Sequence, residues 1–283
     1  MWIKMNNRKK IIILGLLIVT FVLGALLNYF FINLNILRFV EYSSESKIRS
    51  VEEYGNRGQN VKIAILDSGV SRDHPEFLDN IKNGHNFVLK RENTDDEYGH
   101  GTWITGIIAA QDNNSIGICG IAPETEIYPL VILNKDGRGK IKDVIDGIRW
   151  CMDNEIDIIN LSFCTPKDDK DLREIIENAI QKGIIVIASY DNEKKKSYPA
   201  QYENVIGVKK DKKTDKIYIM DNICYAPDGV ITTDLKGGYI KAKGNSIATA
   251  IVSGNVSLLI SQCKSDHKIY DVNSIKRMLN KKK

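Results

Sequence analysis

The chain lacks paired cysteines. Its five, Cys119, Cys151, Cys164, Cys224 and Cys263, are scattered, and no two form a CxxC. That excludes a zinc pattern or a disulfide framework, leaves at least one thiol unpaired, and casts most of them as small buried hydrophobes. A basic stripe is lacking too. The net charge is only +4, much of it at the two ends in Lys4, Arg8, Lys9 and Lys10 and in Lys276, Arg277, Lys281, Lys282 and Lys283. No nucleic-acid partner is expected on that distribution. Apolar residues are not in short supply: 43% hydrophobic against 27% charged excludes wholesale disorder. A length of 283 residues bounds the chain to one large domain or two small ones.

One long hydrophobic run stands at 11–33, IIILGLLIVTFVLGALLNYFFIN. At ~1.5 Å per residue it spans a ~30 Å hydrocarbon core. It exceeds the ~7–15 residue core of a secretory signal, and no small-x-small cleavage site follows it. The lysines and arginine before it leave the N-terminus in the cytoplasm and the bulk of the chain outside. The expected organisation is a cytoplasmic N-terminus (1–10), a transmembrane signal anchor (11–33), a polar stalk (34–59) and a globular domain (60–280). A cleaved signal peptide is the competing reading of 11–33. The stalk is too short to be a folded pro-domain.

Within the globular part, apolar runs rich in β-branched residues alternate with segments of helical period. Strands are expected at 61–66, 126–133, 156–163, 183–189, 205–208, 217–220 and 229–232. Pro129 hints at irregular pairing in the second of these. Helices are expected over 101–110, 141–154, 171–182, 246–262 and from a cap near Asp271. Trp150 falls opposite the apolar stripe of its helix. Such alternation indicates a three-layer α/β/α arrangement around a mainly parallel sheet, whose functional residues gather beyond the carboxyl ends of the strands. Asp67, Ser162 and Asn192 fall at or near strand ends, and His100 and Ser246 at helix starts. Asp95, Asp96 and Glu97 read as a solvated acidic loop. His74, His85 and His267 read as surface or turn residues.

A carboxylate, an imidazole and a hydroxyl converging in this way suit nucleophilic catalysis, because a serine needs a base within hydrogen-bond reach. The blocks DSGV (67–70), HGTWITG (100–106) and GNSIATA (244–250) resemble those of the subtilisin-like serine peptidases, in the order Asp, His, Ser. NNSIGICGIAP, DGIRWCMDNEIDIINLSF and KGIIVIASYDNE extend the likeness over most of 60–260. The resemblance implies a subtilisin-like fold preceded by one transmembrane helix, and a serine endopeptidase with triad Asp67, His100 and Ser246. It assigns Asn192 as oxyanion donor, and Ser162, Phe163, Cys164, Tyr190 and Asp191 to the substrate cleft. A peptide or protein is the implied substrate, and no cofactor is required for the chemistry. It further implies a structural calcium ion held by Glu76, Asn114, Ile116 and Ile118, oxygen ligands that suit a hard cation; a turn closed by Asn and Gly is the competing account.

Departures from the family pattern are local. Asn245 stands where threonine is usual, Ala250 where proline is, Ile247 in place of methionine, and Trp103 in place of a smaller or imidazole residue. Cys164 and Asp191 replace small residues in the cleft, and Lys194, Lys195 and Lys196 follow it. The expectation is a cleft that disfavours large aromatic side chains and accepts small or acidic ones. A tethered processing enzyme at the cell membrane is the implied role, its domain extracytoplasmic. The alternative is a catalytically weak or inactive peptide-binding or regulatory protein on the same fold.

Overall fold

The computed structural model describes Val22, Leu23 and Leu26 and residues 55–280, except 78, 112, 113, 115 and 192–195. By its internal contacts the chain separates into Met1–Lys47 and Ile48–Lys283. In the first unit, the three described residues are helical and exposed; the rest of the expected anchor, and the stalk up to residue 54, lie outside the described residues.

The second unit is built on an eight-stranded sheet in the order β2-β3-β1-β4-β5-β6-β8-β7. Its strands are β1 (Lys62–Asp67), β2 (His85–Asn86), β3 (Glu126–Val131), β4 (Ile158–Leu161), β5 (Ile185–Ser189), β6 (Ile206–Lys210), β7 (Tyr218–Met220) and β8 (Ile223–Ala226). Every pair is parallel except β7 with β8. A separate antiparallel pair joins β9 (Val230–Thr233) to β10 (Tyr239–Ala242). Five helices complete the described unit: α1 (His100–Ala109), α2 (Ile141–Asp153), α3 (Lys170–Gln181), α4 (Asn245–Ser265) and α5 (Val272–Asn280).

Strand alternation sorts the core into two layers. Ile63 and Ile65 of β1 face a cluster with Ile104 and Ile108 of α1, Ile251 and Val256 of α4, and Ile275 of α5. Ala64 and Leu66 face the opposite cluster, with Ile148 of α2 and Ile176 of α3. Both clusters are almost fully buried, so truncating one of their isoleucines to alanine costs roughly 2–5 kcal/mol. The expected three-layer arrangement is the one observed.

Several local expectations need correction. The β1–β3 register runs unbroken through Ile65↔Pro129. Pro129 is tolerated because the interruption lies on its other flank, between the Ile81↔Ile127 bridge and β2, where Gly84 packs on the Pro129 carbonyl. Trp150 does lie off the buried stripe of α2, and it packs at the edge of the second cluster, its ring 5.9 Å from that of Tyr128. Strands β2, β8 and β10 were not foreseen. Among the described residues α4 alone is long and apolar enough to cross a membrane, and it is buried in the fold.

What this architecture does for a site is set by β1. It has β3 on one flank and β4 on the other, so the strand order reverses there. In open parallel sheets the crevice beyond the carboxyl ends at such a reversal is the usual binding place. Asp67 ends β1, and Ser162 lies just past the end of β4, each two residues beyond the Ile65↔Asn160 pair.

Candidate active site

Asp67 is almost fully buried and points at the start of α1. The approach is close. A Cβ on Gly101 would stand 2.2 Å from the Gly69 carbonyl oxygen, so only glycine lets α1 settle against the turn that follows β1. There His100 Nδ1 lies 2.9 Å from Asp67 Oδ1 and 2.8 Å from Oδ2. The Ser68 N–H donates to Asp67 Oδ1, and the Gly101 N–H donates to Ser68 Oγ, which fixes the carboxylate against the helix. Since Nδ1 carries the proton given to Asp67, Nε2 is left with a free lone pair. Burial opposes the imidazolium, but the charge and hydrogen bond of Asp67, with the charge of Asp96, outweigh it. The net result raises the His100 pKa above its ordinary 6.5.

The expected acidic loop contributes more than charge. Asp96 Oδ1 accepts the N–H groups of Tyr98 and Gly99, while Oδ2 accepts the N–H and hydroxyl of Thr102. One carboxylate thus caps the first turn of α1, where N–H groups have no helical partner. Asp96 is a positioning residue that spacing alone did not reveal; an acid three residues before the glycine that precedes His100 was the available signal. Trp103, one turn along, lies with its ring centroid 5.9 Å from that of His100, and its buried Nε1 has no hydrogen-bond partner.

Ser246 is the second residue of α4, partly exposed at the end that meets the sheet. Its hydroxyl donates to the Ser162 carbonyl at 2.9 Å. Among the described residues no hydrogen bond joins it to His100, so the hydroxyl stands in a resting rotamer. Beneath it, a buried chain of polar groups ties α4 to the centre of the sheet. Asn160 Nδ2 donates to Ser253 Oγ, and Ser162 Oγ donates to Asn160 Oδ1.

The expected cleft residues line the neighbouring strand ends. Ser162, Phe163 and Cys164 follow β4, and Tyr190 and Asp191 follow β5. Cys164 Sγ lies 3.9 Å from Asp191 Oδ2, so the two substituted side chains meet. Behind them buried Ser197 accepts the Asp191 N–H at 3.0 Å, and Thr165 and Tyr198 exchange backbone hydrogen bonds. Lys196 is exposed. Asn192, Lys194 and Lys195 lie outside the described residues.

The residues expected to hold calcium do come together, but not as a cation cage. Glu76 is fully buried. Its Oε1 accepts the Ile118 N–H at 2.7 Å and the Tyr239 hydroxyl at 2.6 Å, and its Oε2 accepts Asn114 Nδ2 at 2.8 Å. Both oxygens are therefore occupied by hydrogen-bond donors, and the Asn114 oxygen is turned to the Ile116 N–H instead. A Cβ on Gly117 would stand 1.7 Å from Glu76 Oε1, which shows how tightly the loop closes on the carboxylate. In this arrangement a calcium ion would have to displace the Asn114 donor and turn its amide before Glu76 and Asn114 could act as ligands. His74, expected at the surface, is buried beside it: its Nε2 lies 2.9 Å from the Gly238 carbonyl, and its Nδ1 accepts the Glu76 N–H.

With this geometry in place, the chain was compared with known proteins. The model of the subtilase family matches residues 58–283. Subtilisin NAT of Bacillus subtilis subsp. natto is 33% identical over 232 residues, covering 77% of this chain and 60% of that protein. This chain therefore spans less than two thirds of that relative. The major intracellular serine protease of Bacillus subtilis (strain 168) is 30% identical over 277 residues, covering 86% of this chain and 84% of that one. Among solved structures, a cold adapted subtilisin-like serine proteinase superposes with a TM-score of 0.69 at 23% identity, covering 80% of this chain and 83% of that one.

Proposed function

Because the chain belongs to the subtilase family, we propose that it is a serine endopeptidase whose triad is Asp67, His100 and Ser246. The observation that carries this reading is the two-oxygen grip of Asp67 on His100 Nδ1, set at the strand ends beside Ser246. The Ser246 hydroxyl turns from the Ser162 carbonyl to His100 Nε2, which takes its proton as Oγ bonds to the scissile carbonyl carbon. Asp67 holds the tautomer and stabilises the imidazolium. The proton then passes to the leaving amine as the C–N bond breaks, leaving an acyl-enzyme that water hydrolyses by the same steps in reverse. The backbone N–H of Ser246 at the start of α4 and the side-chain amide that the family likeness assigns to Asn192 take the oxyanion; such a side-chain donor accounts for about 10²–10³ in turnover in subtilisin itself.

The cleft formed by Ser162, Phe163, Cys164, Tyr190 and Asp191 selects small side chains at the cleavage position, since Cys164 and Asp191 occupy the space a large one needs. The composition of 11–33 supports a tethered, extracytoplasmic processing role. In a direct test, a fluorophosphonate probe labels the wild type and not Ser246→Ala; labelling of neither leaves a peptide-binding protein on the same fold. A peptide library shows alanine preferred, and strong cleavage after phenylalanine defeats the small-side-chain reading. Comparing N-terminal peptides from cells with and without Ser246 then names the substrate.

A further inference from the structure

The ladder between β5 and β6 stops one step early. Ser189 pairs with Val208, and the Tyr190 N–H still reaches the Val208 carbonyl at 2.9 Å. In a parallel ladder the next bond would run from the Lys210 N–H to the Tyr190 carbonyl, because these bonds alternate evenly along the pair. It is not made. The Lys210 N–H donates instead to Asn245 Oδ1 at 2.8 Å, and Asn245 Nδ2 donates to the Tyr190 carbonyl at 2.6 Å. One side-chain amide, almost fully buried, thus stands where a direct strand-to-strand bond belongs.

We propose that Asn245 is a wedge that splits the sheet between β5 and β6 and so positions both the nucleophile and one wall of the cleft. The chemistry of the position suits an amide, which offers an acceptor and a donor on one rigid plane and satisfies both backbone groups while holding them apart. Asn245 is also the residue directly before Ser246, and it follows Gly244 at φ 138°. Gly244 is itself held by its N–H to Asp228 Oδ2. The start of α4 is therefore pinned to two strand ends at once. On the cleft side, the split frees the chain after Tyr190 to leave the sheet, which carries Asp191 to Cys164. A threonine, the usual family residue here, has one oxygen for both roles and would hold the strands less far apart. Asn245 touches no reacting atom; it acts through Ser246 and the Tyr190–Asp191 segment.

The inference rests on Ser246 being the nucleophile, and the test separates the two readings. Full-length wild type, Asn245→Ala, Asn245→Asp and Asn245→Thr are compared for kcat, KM, melting temperature and rate of fluorophosphonate labelling. Asn245→Ala is expected to lower kcat and the labelling rate of the folded protein together by about 10–100-fold, the scale of an ångström-sized misplacement, with KM nearly unchanged and melting lowered because the Lys210 N–H and the Tyr190 carbonyl lose their partner. Asn245→Asp keeps the acceptor for Lys210 but sets an oxygen against the Tyr190 carbonyl, and should lose as much. Asn245→Thr should recover part of the loss, and it carries the test if Asn245→Ala does not fold. If labelling and kcat of all the folded variants match the wild type, the positioning role is wrong. If KM alone rises, Asn245 shapes the wall and not the nucleophile, and the proposal fails as stated. A wild type that does not label overturns the peptidase reading itself.

Discussion

Two buried carboxylates organise this molecule, and they have opposite characters. Asp67 and Glu76 sit nine residues apart, one almost fully and the other fully buried. Asp67 spends both oxygens on an imidazole that is partly open to the cleft and can gain or lose a proton. Glu76 spends its oxygens on a peptide N–H, a side-chain amide and a phenol. That phenol is locked too: burial, then the hydrogen bond and charge of Glu76, push the Tyr239 pKa well up. Burial makes either carboxylate expensive to leave unpaired. On the proposed triad, what separates a reactive acid from a structural one is whether its partner titrates and reaches solvent.

The contrast can be broken at its reactive end first. Asp67→Asn is expected to cut kcat about 10⁴-fold through the wrong imidazole tautomer, while leaving the melting temperature nearly intact. It should also move the acid limb of the pH profile. In the wild type the base form of His100 appears only above its raised pKa, so activity falls as pH drops from a midpoint above 6.5. Without the Asp67 charge that midpoint falls. The linkage for stability has the opposite sense: a raised histidine pKa stabilises the fold below its unfolded value and loses that contribution as pH rises through the folded one. Kinetic titration of both proteins checks the shift.

Glu76→Ala should do the reverse, costing roughly 3 kcal/mol or more by stranding three donors, with kcat of the folded fraction within about threefold. Denaturant unfolding measures it, and a kcat collapse at full folding would erase the distinction between the two acids. Tyr239→Phe removes one donor and should cost about 1–2 kcal/mol in the same assay. Smallest of all is the effect of calcium. Because donors already fill the Glu76 oxygens, adding calcium or a chelator should leave the melting temperature unchanged; a rise of several degrees with calcium would make Glu76 a ligand after all.

Much of the architecture could be read from the sequence because its signals are local. The runs that became β1, β3, β4 and β5 are apolar and bounded by turn residues, and His100 and Ser246 open helices in the blocks that bear the family likeness. Other features were illegible for a physical reason. Strand β2 is two residues long, and β10 alternates too weakly to stand out. The burial of His74 depends on Gly238, and the wedge of Asn245 on Tyr190 and Lys210, partners 164, 55 and 35 residues away. Trp150 lies off the apolar stripe, as helical period places it, but its packing on Tyr128, which approaches from the flank, could not be read from one helix face.

The burial of α4 has a consequence for the order of assembly. Ser246 stands on a long apolar helix that is buried against residues of β4, β5 and α1 in the folded state. Its buried hydroxyls are satisfied only there, Ser253 by Asn160 and Ser257 by Thr125. Contacts of such sequence separation form late, after the loop-closure entropy has been met. A chain in which α4 has not yet docked therefore holds Asp67 and His100 without Ser246 beside them. On the proposed triad, activity requires that α4 has docked and brought Ser246 to His100.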